Sequence, residues 1–352
     1  MDGARAAENL AQAADWAERM GERALLTAVL TVQAAEEGEY FDKLGTSLGQ
    51  ERIALAEKAA ALAREGGMAL ELAQALMGQS AVLLRAGRPE EALAAAEEAV
   101  STLHGISPNL LAHALTQRAA VYVYQGQADA AAADLQLAAD LLVGMEDAPG
   151  LAALYLLWGY EYGRLVPEGE QARGRLERAR RLLEGFLEEE GFTAAWIRLY
   201  LGLAQAEMAA EWLEEARLWL AKAVALAQEK KAVWLRPSVW YLRGETALAA
   251  GDRRYARELF SEALLAVHEG GCPDELPLIL LQLARLTAKR DAHRLRFFET
   301  AVSAAHERSR YPDKVAVFRE AGEVLVEVEG DGRLRRIGEG CLAWVAEREP
   351  VQ

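Results

Sequence analysis

An all-α fold, a right-handed solenoid of stacked antiparallel helical hairpins, is what this chain predicts, on three observations. A stripe returns about every 40 residues, which is the mark of a repeat architecture. It reads Ala92/Ala96/Ala99, Ala131/Leu135/Ala138, Ala172/Leu176/Ala179, Ala216/Leu220/Ala223 and Ala256/Phe260/Ala263. Twelve or thirteen residues before each first Ala stands another small residue: Ser80, Ala119, Gly159, Ala204 and Gly244. Finally, 52% of the residues are apolar, Ala and Leu dominate, and β-branched runs are few, a composition that favours helix.

Helix packing explains the pattern. Residues at i, i+4 and i+7 share one helical face, so each triplet marks the packing stripe of a second helix, B. The small residue upstream lies on the preceding helix, A, where a missing side chain lets the pair approach closely. The spacing predicts A helices near 71–86, 109–125, 150–165, 194–210 and 236–250, with B helices after each. Gly87, Gly126, Gly169 and Gly251 supply the turn between A and B in four of the five units, as suits a residue just past a helix end. Pro89 fits a helical first turn. Pro108, Pro149, Gly191, Pro237 and the Pro273/Pro277 pair punctuate the hairpins.

The ends are less regular. Residues 4–37 read as two helices, one with Leu10 and Trp16, the next with Leu25, Leu26, Val29 and Leu30. Residues 51–65 form a further helix, with Lys58 where the stripe calls for an apolar residue. Residues 276–308 read as a hairpin on Ile279, Leu283 and Leu286, then Phe298, Ala301 and Ala305. Beyond Pro312, the run Val324, Val326, Val328 before Gly-Asp-Gly also suits strands, but Phe318 to Val328 keeps a helical period, and helices are expected. The predicted organisation is one continuous domain: 1–70 a helical cap and first hairpin, 71–268 five hairpins, 269–352 C-terminal hairpins and cap.

Trp240, Gly244, Ala256, Phe260 and Ala263 match the order of large, small, Ala, aromatic and Ala that marks the tetratricopeptide repeat. Tyr155, Gly159, Ala172, Leu176 and Ala179 match it with one insertion. Over residues 50–310 the chain resembles that repeat, with a period longer than its usual length of about 34 residues. Hairpins of this length resemble the superhelical sensor domain of the bacterial maltose-regulon activator, related large ATP-dependent regulators, and antibiotic-regulatory-type activators. The resemblance implies that A helices line a concave wall that meets the ligand. By position it places Arg85, His113, Tyr124, Tyr160, Arg164, Arg198, Gln205, Tyr241 and Glu245 on that wall.

Several function classes are disfavoured. A net charge of −15 argues against gripping nucleic acid, which requires clustered Lys and Arg. The basic run Arg173, Arg175, Arg178, Arg180 and Arg181 is interleaved with Glu168, Glu170, Glu177 and Glu184 and reads as a solvated face. The five histidines show no paired-ligand spacing, and no phosphate loop, dinucleotide fingerprint or nucleophile elbow occurs. No metal, cofactor or catalysis is therefore expected. No apolar run reaches membrane-spanning length and the N-terminus is unlike a secretory signal, so a cytoplasmic location is expected, with Cys272 and Cys341 as thiols. Trp219 and Trp240 read as core fillers, Trp212 and Trp234 as partly exposed.

Two functions follow. One is the ligand-sensing and protein-interaction superhelix of a bacterial transcriptional regulator, taking a protein, a peptide or a small molecule in its groove. The other is a stand-alone tetratricopeptide scaffold or adaptor that binds a peptide or helix of a partner protein. The sequence does not name the ligand or the oligomeric state.

Overall fold

In a computed structural model, residues 2–35, 47–145, 147–166, 169–186, 192–270, 273–288, 291–307, 310–328 and 331–347 are described. Every regular element among them is helical. The chain divides into two compact units, Met1–Trp158 and Gly159–Gln352.

The first unit holds α1 (Asp2–Met20), α2 (Arg23–Ala35), α3 (Ser47–Glu65), α4 (Ala69–Arg85), α5 (Pro89–Leu103), α6 (Pro108–Gln125), α7 (Ala128–Val143) and α8 (Ala148–Leu156). Each packs on its sequence neighbour, and the A helices α4 and α6 also touch one another. The stripes of α5 and α7 are fully buried, as are Ser80 and Ala119. Gly126 ends α6 at φ 78, and Gly87 makes the preceding turn at φ 74. In α3 the stripe differs in register from the one anchored on Lys58. The buried triplet is Ala56/Ala60/Ala63, and Lys58 points outward to pair with Glu18 at 3.5 Å. An apolar residue was never needed there, because Lys58 lies off the packing face.

The second unit begins within a π-helical turn, Leu157–Glu161, that continues into α9 (Tyr162–Leu165). It then holds α10 (Glu170–Leu183), α11 (Thr193–Ala209), α12 (Leu213–Glu229), α13 (Arg236–Ala249), α14 (Arg253–His268), α15 (Leu276–Leu286), α16 (Ala292–Glu307), α17 (Tyr311–Val326) and α18 (Gly332–Ala346). Neighbouring helices pack as hairpins, with further contacts between A helices α11 and α13, and α15 and α17. The valine run falls in or just after α17, and Arg333–Ala346 in α18, so helices hold there as expected. This last hairpin repeats the stripe as Leu334/Gly338/Cys341, all buried, opposite Gly322.

Close approach is what the small A-helix residues supply. A Cβ added at Gly159 would sit 2.6 Å from Leu176 Cγ, and one at Gly244 would sit 2.6 Å from Phe260 Cε1. The fourth unit has no glycine at its turn, and Glu211 takes the left-handed conformation there at φ 63. That costs roughly 1–2 kcal/mol for a residue with a Cβ. Cys341 is buried, while Cys272, Gly191 and Glu168 lie outside the described residues. Trp212 is half exposed; Trp219, Trp234 and Trp240 are partly buried. Trp219 and Trp240 are thus less enclosed than core fillers, each carrying a cation on its exposed face, Lys222 and Arg243 respectively.

Candidate functional site

The A helices present charged and aromatic side chains beside their packing stripes. In the first unit, Arg85, His113 and Tyr124 are all half-buried. His113 Nε2 lies 2.9 Å from Asp147 Oδ2. Asp147 also accepts the Gly150 N–H at 2.9 Å, capping α8. Burial alone would raise the Asp147 carboxyl, but the Gly150 N–H and His113 hold it below its usual range.

In the second unit a larger cluster forms. The π turn brings Tyr160 and Glu161 to the same face as Arg164 of α9. Arg164 Nη2 donates to Asp313 Oδ1 and Oδ2 of α17 at 3.3 and 3.4 Å, and its Nη1 lies 3.9 Å from Glu275 Oε1. Arg310, at the N-terminus of α17, donates to Glu161 and approaches Glu275 Oε1 at 4.0 Å. Glu275 thus lies between two guanidinium groups, one from α9 and one from the start of α17.

Desolvation governs the electrostatics. Burial pushes the Tyr160 hydroxyl up to about 12. It pushes Tyr241 well up as well, with help from the Glu245 charge. Burial raises Glu275 and Glu245 from their ordinary value, against the pull of nearby arginines and of hydrogen bonds from Ser238 to Glu275 and from Gln282 and Tyr241 to Glu245. Glu161 is the exception. Burial opposes its charge, yet Arg310, Arg164 and Arg198 together hold it below its usual value.

Three acceptors are left over. Glu275 Oε2, Glu245 Oε1 and Gln282 Oε1 are buried with no hydrogen-bond partner among the described residues. Glu275 and Gln282 are 3% and 5% exposed. A buried acceptor without a donor is costly, on the order of 1–3 kcal/mol.

Of the residues placed on the wall from sequence, Tyr160, Arg164, Arg198, Tyr241 and Glu245 meet in or beside this cluster. Arg85, His113 and Tyr124 belong to the first unit. Gln205, half-buried on α11, makes no side-chain hydrogen bond among the described residues. Tyr160 is only 6% exposed and the Arg164 side chain only 15%, so both brace the face rather than project from it. Sequence reasoning missed Glu161, Glu275, Arg310 and Asp313. Glu161 adjoins Tyr160 and was within reach of the pattern, but Arg310 and Asp313 lie outside any stripe. The basic run on α10 is engaged with carboxylates: Arg173 with Glu207 at 3.1 Å, and Arg180 with Glu177 and Glu184. No cluster of metal-ligating side chains occurs among the described residues, and no described helix is long and apolar enough to cross a membrane.

No family model and no curated protein matches the chain. Solved structures do. Rap protein complexed with Competence and Sporulation Factor aligns over 97% of both chains at 15% identity and a TM-score of 0.59. A signal transduction ATPase with numerous domains from Pyrococcus horikoshii, bearing a tetratricopeptide repeat sensor, aligns over 97% of this chain at 11% identity and a TM-score of 0.58. The match spans 50% of that larger protein. BtubC from P. vanneervenii aligns over 63% of this chain and 91% of its own at 19% identity and a TM-score of 0.51. At these identities the likeness is one of fold, and by fold the chain is a tetratricopeptide-like helical repeat protein.

Proposed function

We propose that the chain is a non-catalytic binding module, the sensing and protein-interaction domain of a bacterial transcriptional regulator, and that it holds a peptide or protein partner on the A-helix face of its second unit. The observation that carries this reading is the set of three oxygens without a donor, Glu245 Oε1, Glu275 Oε2 and Gln282 Oε1, on residues otherwise bonded within the cluster, Glu245 by Gln282 and Tyr241 and Glu275 by Ser238. A partner's basic group satisfies them, and recognition by charge-assisted hydrogen bonds follows. The net charge of −15 favours a basic partner and disfavours a phosphate backbone. The fold shared with a tetratricopeptide repeat sensor supports the regulator reading. The likeness to Rap bound to its factor equally supports an adaptor that holds a segment of another protein.

A thermal-shift screen of the full chain against sugars, nucleotides and peptides rich in Lys or Arg tests it. Basic peptides should raise the melting temperature, and Glu245→Gln or Gln282→Leu should abolish the shift. Charge reversal at Arg178 and Arg181 on α10 should leave it unchanged. A shift lost in the α10 variants and kept in the Glu245 and Gln282 variants would sink the proposal.

A further inference from the structure

Helices α12, α13 and α14 line an open groove of about 440 Å³ in the second unit, a size within the range of small-molecule sites. Its apolar side is made by Leu220, Ala221, Val224 and Ala225 of α12 with Leu259 of α14, and Arg243 and Tyr255 stand among the polar lining. None of the A-helix residues of the charge cluster lines it, so it is independent of the partner reading above.

One departure from the repeat, readable by register, leaves room along its α12 wall. The fifth and ninth residues after the first Ala of each stripe are Glu97 and Ser101, Gln136 and Asp140, Glu177 and Arg181, and Ser261 and Leu265 in four B helices. In α12 they are Ala221 and Ala225, so two longer side chains are missing at one place. Charge comes from Arg243, which lacks the partner held by its counterpart in the second hairpin. Arg118 and Arg243 both stand one residue before the small residue of their A helix. Arg118 is held by Asp134 through two hydrogen bonds, at 2.7 and 2.8 Å. Asp134 is the third residue after Ala131, and the matching residue after Ala256 is Leu259.

Arg243 therefore pairs with no carboxylate among the described residues. It lies over the Trp240 ring at 4.5 Å, and its Nη2 donates to the Tyr255 hydroxyl at 3.0 Å. The other lining charges are engaged. Arg217 pairs with Glu214, and Asp252 accepts the Tyr255 N–H at 2.9 Å as the cap of α14. An uncompensated guanidinium beside an apolar groove calls for a ligand with one anionic end and an apolar body.

We propose that this groove binds a small amphipathic monocarboxylate, its carboxylate on Arg243 and the Tyr255 hydroxyl, its body against Ala221 and Ala225. Guanidinium–carboxylate pairing is geometrically specific and stronger than a neutral hydrogen bond, and the apolar body adds burial that the cation alone cannot supply. A longer side chain at position 225 would occupy the space the ligand needs.

Isothermal titration calorimetry on the full chain tests this with octanoate and 4-phenylbutyrate, and with octan-1-ol and 4-phenylbutanamide as neutral counterparts. Saturable 1:1 binding of at least one carboxylate is expected, with its neutral counterpart weaker by about tenfold or more, as loss of a charged hydrogen bond implies. Arg243→Gln should weaken the carboxylate by a similar factor, and Ala225→Leu should abolish its binding, with circular dichroism of both variants unchanged. Should Ala225→Leu fail to fold, Arg243→Gln, a change on a surface side chain, decides alone. Equal affinity for acid and neutral probe, indifference to Arg243→Gln, or no saturable binding of either carboxylate overturns the proposal.

Discussion

Gly244 has no room for even one more carbon. A Cβ there would meet three atoms of the Phe260 ring between 2.6 and 2.9 Å, and Phe260 is fully buried with no space to retreat. Gly244→Ala should therefore destabilise the protein by about 1–3 kcal/mol, the usual cost of overpacking, although Ala is the better helix former. Glu258→Ala on the neighbouring exposed face of α14 should stay within about 0.5 kcal/mol of the parent. Urea unfolding of both variants checks it, and equal midpoints would mean that the helices do not meet at Gly244. A second residue-scale prediction concerns acid. The Glu161 carboxyl is held below its ordinary value of 4.5. Its contribution is thus present above the unfolded value and lost as pH falls through the lowered folded one. Glu161→Gln should flatten the decline of melting temperature between about pH 5 and pH 3. Glu275 and Glu245 are shifted the other way and contribute most when protonated, so they cannot produce that decline. An unchanged acid limb in the Glu161 variant would show that the arginines do not hold its charge in solution.

At the scale of elements, most of the fold was legible because its rule is local. A small residue on helix A and a triplet on helix B fix where two helices touch, and the five triplets read from sequence are all buried. At α3 the expected register ran through Lys58, whereas Ala56, Ala60 and Ala63 carry the same spacing two residues away and are the ones buried. At α17 the valines suited strand as well, and the helical period from Phe318 to Val328 pointed to the helix that forms. In α18 Leu334, Gly338 and Cys341 invert the usual sizes, placing the small residue in the middle of the stripe opposite Gly322. The candidate site was half legible for a related reason. Helical position located Tyr160, Arg164 and Tyr241, but no period links Arg164 to Asp313 across 149 residues. The start of α18 offers an independent check on the final hairpin. Asp331 accepts the Arg333 and Leu334 N–H groups at 2.9 and 3.1 Å. Asp331→Ala should cost about 1 kcal/mol, and Asp331→Asn, which keeps an acceptor, should cost little. If thermal melts do not separate the two, the cap is not formed.

At the scale of the whole molecule, a stack of hairpins is held mainly by contacts between successive repeats, and stability is close to a sum of local terms. The charge cluster of the second unit breaks that rule. Arg164 with Asp313, and Arg310 with Glu161, each join groups 149 residues apart, so the unit's first turn and its α17 helix share one set of partners. Arg164→Met keeps much of the side chain's length and apolar stem but leaves Asp313 without its guanidinium and Glu275 with Arg310 alone. Removing one partner of a buried pair costs on the order of 3–5 kcal/mol, most of it from the charge left behind. A purely local role would confine that loss to residues 157–165. The geometry instead predicts that hydrogen exchange quickens at both ends together, in residues 157–165 and in 311–326, because neither segment keeps its share of the network when the other lets go. Asp313→Asn, which removes the charge and keeps an acceptor, should produce the same paired pattern more weakly. Exchange that quickens around Arg164 while 311–326 stays as protected as in the parent would show that these bridges contribute nothing to joining the two ends of the unit.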